Sequence, residues 1–400
     1  MVEGRHPLDG IVVVDLGQIY NGPYATLLLA LAGADVIKVE PRHGENLRGR
    51  TQTPGAGAPF VMLNSNKRGV TLDIRTERGR ELLLRMTDRA DVLVQNFRPG
   101  VMERLGLGPD VVCARNPRLI YASGSGFGQS GPYRDHAAMD LTVQAMAGIM
   151  TTTGFPDHPP VKAGPAVCDF FGGIHLYAAI VTALFDRERT GEGRVVEASM
   201  FESVYASHMS SLGLYFGSRG STTPTRTGNR HSGLAEAPYN VYPARDGHVA
   251  IICVTDAHWR GLAALMGRED LAEHPDYATR RARVERMDEI DALVSVFTER
   301  HGRDELCDLL RAHRVPCAPV RELAEVVADP HLHERGMLHE IDHPEFGPIT
   351  VPHSPLRFEG EERIPIEPAP ALGEHNEEVF CGWLGLSREE LAELEREEVV

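Results

Sequence analysis

The first forty residues constrain the fold more than any other stretch. GIVVVDLG (10–17) is an apolar run of strand length, GPYATLLLALAGA (22–34) is helix-forming and ends at Gly33, and DVIKVE (35–40) is a second strand. Two strands joined through a helix make a βαβ unit, and that crossover requires a parallel sheet. The pattern returns at TERGRELLLRMTDRA (76–90), an amphipathic helix leading into the strand DVLVQNF (91–97), and at NPRLIYASGSGF (116–127), a strand ending in glycine. After Asp169, GGIHLYAAIVTALFDRERTGEG reads as a helix stopped by Gly191 to Gly193, and RVVEASMFESVYA resumes with a strand and a helix. Residues 1 to about 205 are therefore expected to form an α/β domain.

Composition changes at GSRGSTTPTRTGNRHSG (217–233), a Gly/Ser/Thr/Pro stretch of the kind that links domains or forms mobile loops. Beyond it, YNVYPARDGHVAIICV (239–254) reads as a β pair turned at Arg-Asp-Gly, followed by helices at 256–267 and 287–313. A second boundary falls near ADPHLHERG (328–336). The last residues return to short strands and then to the acidic helix SREELAELEREEV (387–399), in which Ser387 and Glu390 form a capping box.

The net charge of −16 argues against nucleic acid as a partner, which needs a net basic face. Only three lysines occur, Lys38, Lys67 and Lys162, so nearly every cation is an arginine. Six cysteines are scattered without a short metal-ligand spacing, which favours a reducing compartment and predicts no metal site. The N-terminus lacks a basic region followed by a long apolar one, and the expected setting is cytoplasmic, away from any membrane.

GFGQSG (126–131) matches the dinucleotide fingerprint literally and follows a strand, but Pro132 and a polar segment intervene before any helix. An ordinary loop is the better reading. Arg42, Arg48, Arg75, Arg98 and Arg104 all fall near expected strand ends or helix starts, where open α/β sheets bind phosphorylated ligands; solvated arginines are the competing reading. Asp169 sits between a small-residue run, Ala163, Gly164 and Ala166, and an apolar helix expected to begin just after it. That helix offers N–H groups that stabilise an oxyanion, and Gly172 and Gly173 permit close backbone approach. An aspartate in this place is also a common N-cap.

The segments PLDGIVVVDLG, NGPYATLLLALAGADVIKVE, NSNKRGVTLDI, ADVLVQNFRPGVMERLGLG, GFGQSGPY, AGPAVCD, RTGEGRVVEASMFE and LGEHNEEV, in this order, resemble the class III coenzyme A transferases, a group that includes α-methylacyl-CoA racemases. The resemblance implies an α/β fold with a large Rossmann-like CoA-binding domain over 1–216, a linker or mobile loop at 217–233, a smaller α/β domain over 234–328, and a C-terminal segment, 329–400, that returns to the large domain. It further implies an interlocked-ring homodimer. The implied substrates are coenzyme A as acyl-CoA and a carboxylic acid acceptor, with no permanently bound cofactor. Asp169 matches the family's nucleophile, which carries a mixed anhydride and then an aspartyl-CoA thioester, and Asp140 matches an acidic active-site residue. Matches to CoA contacts are Gln18, Ile19, Asn21, Arg42, Leu72, Arg75, Asn96, Phe97, Arg104 and Leu105.

Departures bear on the substrate. Tyr20 replaces the glutamine of formyl-CoA transferases, Ala137 replaces a CoA-contacting lysine, and their four-glycine loop has no counterpart in GNRHSGLAEAPYN. The racemase branch requires a histidine before the aspartate of MDLTVQ; here Met139 stands there, with His136 three residues earlier. Transfer is the favoured reading, and racemisation or a catalytically silent CoA binder are the alternatives.

Overall fold

The computed structural model describes residues 6–50, 55, 57–221, 226–344 and 346–400. The chain divides into two compact units: Met1–Met146, Pro165–Val204 and Asp329–Val400 form one, and Ala147–Gly164 with Tyr205–Ala328 form the other. The second unit thus begins upstream of 217 and takes in a segment from before Asp169. Of the stretch expected as a linker, residues 222–225 lie outside the described residues.

The larger unit is built on six parallel strands: β1 (Val12–Asp15), β2 (Asp35–Glu40), β3 (Arg68–Thr71), β4 (Val92–Gln95), β5 (Ile120–Ser125) and β6 (Val195–Ser199). Their order is β3-β2-β1-β4-β5-β6, the Rossmann-like arrangement. Alternating side chains make the layers. On one face Val14, Ile37, Val70, Leu93 and Tyr121 pack with Leu82, Leu83 and Met86 of a helix at Glu77–Thr87 and with Val379, Phe380, Leu391 and Leu394 of the C-terminal segment. On the other, Val13, Val36, Val92, Val94 and Ile120 pack under α1 (Asn21–Ala30) and a 24-residue helix, Val167–Thr190. Val167–Thr190 is apolar and long enough to cross a membrane by length and composition; here Leu176, Ile180, Ala183 and Leu184 are spent on the sheet.

The terminal helix, Arg388–Arg396, carries the expected capping box. Ser387 Oγ accepts from the Glu390 N–H at 3.1 Å, and Glu390 Oε2 accepts from the Ser387 N–H at 2.7 Å. Its acidic face is not wholly solvated, because Arg78 pairs with Glu393 and Glu397 at 3.0 and 2.5 Å.

The smaller unit holds β7 (Tyr239–Ala244) and β8 (Gly247–Ile252), the expected pair, and a third strand, β9 (Cys317–Pro319), that the sequence reading missed. The helix expected over 287–313 is two, Met287–Thr298 and Arg303–Ala312, because Gly302 caps a new start and Glu305 Oε2 accepts the Gly302 N–H at 3.3 Å.

The turn joining Val167–Thr190 to β6 passes so close to β5 that a Cβ on Gly193 would lie 2.0 Å from the Leu119 carbonyl oxygen. Backbone cannot yield as a flexible side chain does, so Gly193→Ala is expected to cost about 1–3 kcal/mol in urea unfolding. An unchanged midpoint would show that β6 is free to shift.

Candidate active site

In an open sheet of this order, the chain leaves the carboxyl end of β1 toward one side and that of β4 toward the other, opening a crevice between them. The two turns at this crevice hold each other. The Gln18 N–H donates to Asn96 Oδ1 at 2.8 Å, and Asn96 Nδ2 donates to the Gln18 carbonyl at 2.9 Å. Ile19 follows with φ 62°, a left-handed conformation that costs a β-branched residue on the order of 1–3 kcal/mol. Beneath lies a buried charge cluster, in which Lys67 Nζ meets Asp15 Oδ2 at 3.0 Å and Asn64 Oδ1 at 2.9 Å. Burial pushes the Lys67 ammonium down to about 8 against the opposing pull of Asp15.

Asp169 approaches this crevice because glycines let two helices close. A Cβ on Gly172 would stand 2.3 Å from Asn21 Nδ2, and one on Gly173 would stand 2.8 Å from the Asn21 carbonyl oxygen. These glycines therefore admit α1, the close backbone approach expected of them. Asn21 Nδ2 in turn donates to the Asp169 carbonyl at 3.3 Å.

The helix starts earlier than expected. Its N-cap is Ala166, which has no side chain to cap with, and Asp169 lies inside the first turn. Asp140 supplies the missing acceptor from the helix Asp140–Met146: its Oδ1 accepts from the Cys168 N–H at 2.8 Å and from the Asp169 N–H at 3.4 Å, while its Oδ2 accepts from Gln144 Nε2 at 2.6 Å. This corrects two readings. Asp169 is not the N-cap, and the N–H groups of residues 168 and 169 are already engaged.

The Asp169 side chain itself is left without support. Among the described residues no hydrogen bond reaches its carboxyl oxygens, and the residue is 8% exposed. Burial, with the negative charge of Asp140 adding to it, pushes the carboxyl up from 3.8 to about 7.

Asp169, Gln18, Ile19, Asn21, Asn96 and Phe97 line one cavity of about 340 Å³. The same cavity is lined by Arg98, one of the five arginines expected near strand ends, and by Val101, Ala138, Met139 and Met200, which are not among the matched CoA contacts. Its position in the turn after β5 was the available signal for Ala138. The remaining matches lie elsewhere. Leu72 is core, Leu105 packs against the same core, and Arg104 is exposed. Arg75 is forked onto Asp73 at 2.7 Å, and Arg42 pairs with Glu398 at 3.3 Å. Arg48 is likewise forked, onto Glu40 at 2.8 Å, so three of the five early arginines are already partnered. GFGQSG runs from β5 into turns with no helix before Asp140, as a loop reading requires.

A profile described as CoA-transferase family III matches residues 8–376. The formyl-CoA:oxalate CoA-transferase of Streptomyces coelicolor is 38% identical, over 98% of this chain and 99% of that one. The succinyl-CoA:mesaconate CoA-transferase of Haloarcula marismortui is also 38% identical, over 93% and 95%. A solved CAIB/BAIF family protein from Brucella suis superposes with a TM-score of 0.82 at 36% identity, covering 94% of this chain and 99% of that one. The chain belongs to CoA-transferase family III and is an acyl-CoA:carboxylate CoA-transferase.

The raised carboxyl has a consequence for stability. Unfolded, Asp169 ionises near 3.8; folded, it holds its proton to about 7, so the stability present at low pH is lost as pH rises through 7. The span corresponds to roughly 4 kcal/mol at most. Asp169→Asn is therefore expected to raise the denaturation midpoint at pH 8 and to leave it nearly unchanged at pH 4. Equal effects at both pH values would contradict the raised ionisation.

Proposed function

We propose that the chain moves coenzyme A from an acyl-CoA donor to a carboxylic acid through covalent intermediates on Asp169. The supporting observation is the Asp169 carboxyl itself, buried in the cavity at the sheet crevice, without hydrogen bonds to its oxygens and with its ionisation raised to about 7. A carboxylate that water and donors do not stabilise is a stronger nucleophile, and a transferase needs a nucleophile whose acyl derivative stays activated.

In this reading an Asp169 oxygen attacks the donor thioester carbon; the C–S bond breaks, CoA leaves as the thiolate, and a mixed anhydride remains. The thiolate attacks the Asp169 carbonyl carbon, giving an aspartyl-CoA thioester and releasing the donor acid as its carboxylate. An acceptor carboxylate attacks that thioester to form a second anhydride, and the thiolate then takes the acceptor's acyl group and frees Asp169. Transfer is favoured over racemisation because Met139, and no histidine, lines the cavity beside Asp169 among the described residues. His136 instead packs its ring against Tyr133 and Phe127 at 5.1 and 6.0 Å.

The substrates are an acyl-CoA and a carboxylic acid, and the working unit is an interlocked homodimer in the cytoplasm. In support of a second copy, Phe171, Ile174 and Phe185 follow one face of Val167–Thr190 and remain 39%, 45% and 65% exposed. Sedimentation equilibrium is expected to give twice 43.9 kDa; a monomer at micromolar concentration would refute this part.

Asp169→Asn is expected to abolish exchange between CoA esters and free acids, and incubation of the native protein with acyl-CoA, trapped by hydroxylamine, is expected to modify the Asp169 peptide. Retained turnover in a deamidation-free variant would refute the assignment. The attacking form is the anion, so kcat/KM should rise with pH through about 7, and Asp140→Asn, which keeps an acceptor oxygen but removes the charge, should move that limb to lower pH.

A further inference from the structure

The turn that carries Gln18 and Ile19 is not held by its own backbone. Five successive main-chain groups each meet a side chain. The Gly17 N–H donates to Asp15 Oδ1 at 2.7 Å, the Gly17 carbonyl accepts from Lys38 Nζ, both Gln18 groups are taken by Asn96, and the Ile19 N–H donates to Glu45 Oε2 at 3.3 Å. Asp15 and Lys38 are fully buried and Glu45 is 4% exposed, so these partners have little freedom to move. They are anchored further out: Asp15 by Lys67 and Thr26, and Glu45 through its own N–H, which donates to Glu40 Oε2 at 3.1 Å, with Glu40 forked by Arg48.

A buried loop needs its polar groups satisfied, but satisfaction alone does not require Ile19 at φ 62°. A β-branched residue keeps that conformation only where its surroundings hold it. Glu45 Oε2 makes the bond at that residue and also accepts the Leu47 N–H at 3.2 Å, which holds the carboxylate in place, while its other oxygen, Oε1, is buried without a partner. Asn96 holds Gln18 by its backbone alone, and Gln18 lines the cavity with Asp169.

We infer that Glu45 is a positioning residue for CoA transfer: its carboxylate fixes Ile19 in the left-handed conformation and thereby sets the lip of the cavity opposite Asp169. Lys38 Nζ holds the carbonyl of the preceding Gly17. The inference rests on the Asp169 reading for its functional meaning, while its structural part stands alone. Glu45 does not line the cavity and is assigned no contact with substrate.

Two measurements test it. In the native protein, hydrogen exchange is expected to find the amides of Gly17, Gln18 and Ile19 as protected as those of β1; exchange at the rate of an open loop overturns the clamp whatever the chemistry. In kinetics, Glu45→Leu is expected to lower kcat/KM for acyl-CoA at least tenfold and to slow labelling of Asp169 equally. Glu45→Gln, which keeps an acceptor oxygen, is expected to lose less. A Glu45→Leu enzyme within twofold of native, or a Glu45→Gln enzyme as impaired as Glu45→Leu, overturns the positioning role. Should Glu45→Leu fail to fold, the exchange measurement on the native protein still decides the clamp. An Asp169→Asn enzyme that still turns over would refute the transfer reading without touching the exchange result.

Discussion

The first turn of the Val167–Thr190 helix has no cap of its own, and Asp140 provides one from another helix. This borrowed cap governs the site. It satisfies the Cys168 and Asp169 N–H groups, so the helix begins where it does, and it sets a negative charge beside the carboxyl that burial already disfavours as an anion. One interaction thus fixes the place of Asp169 and adds to the effect that burial has on its ionisation. The helix dipole at this end favours an anion, yet the ionisation still lies near 7, so desolvation and the neighbouring carboxylate outweigh it.

The sheet provides the other half. Its strand order places β1 beside β4, and the divergence of the chain at their carboxyl ends leaves the crevice into which both turns and the helix start converge. Gly172 and Gly173 bring the long helix against α1, and Asn21, at the start of α1, bonds to the main chain of Asp169. Turn, helix and nucleophile are therefore one packed object.

Much of this was legible in the sequence where the signal is local. Apolar runs joined through helix-forming segments announce the parallel strands, and the capping box at Ser387 and the Arg-Asp-Gly turn at 245–247 carry their own chemistry. Asp169 was legible by its setting, yet its place within the helix was not, because Ala166 gives no cap signal and the compensating carboxylate lies 29 residues away. The ion pairs of the early arginines were not legible for the same reason. Arg48 and Arg42 find Glu40 and Glu398 only once the chain is folded, and no local pattern distinguishes them from Arg98, which lines the cavity. The clamp on Ile19 is likewise made by Glu45 and Asn96, residues that read as ordinary loop positions until the strands assemble.

The central claim is that Asp169 keeps its proton to near neutrality in the resting protein. Isotope-edited infrared spectroscopy, with aspartate carboxyl carbons labelled and Asp169→Asn as the reference, reads this directly. A protonated carboxyl band that persists at pH 6, disappears with a midpoint near 7 and is missing from the variant is the result expected. Complete ionisation of every aspartate by pH 5 would contradict the account.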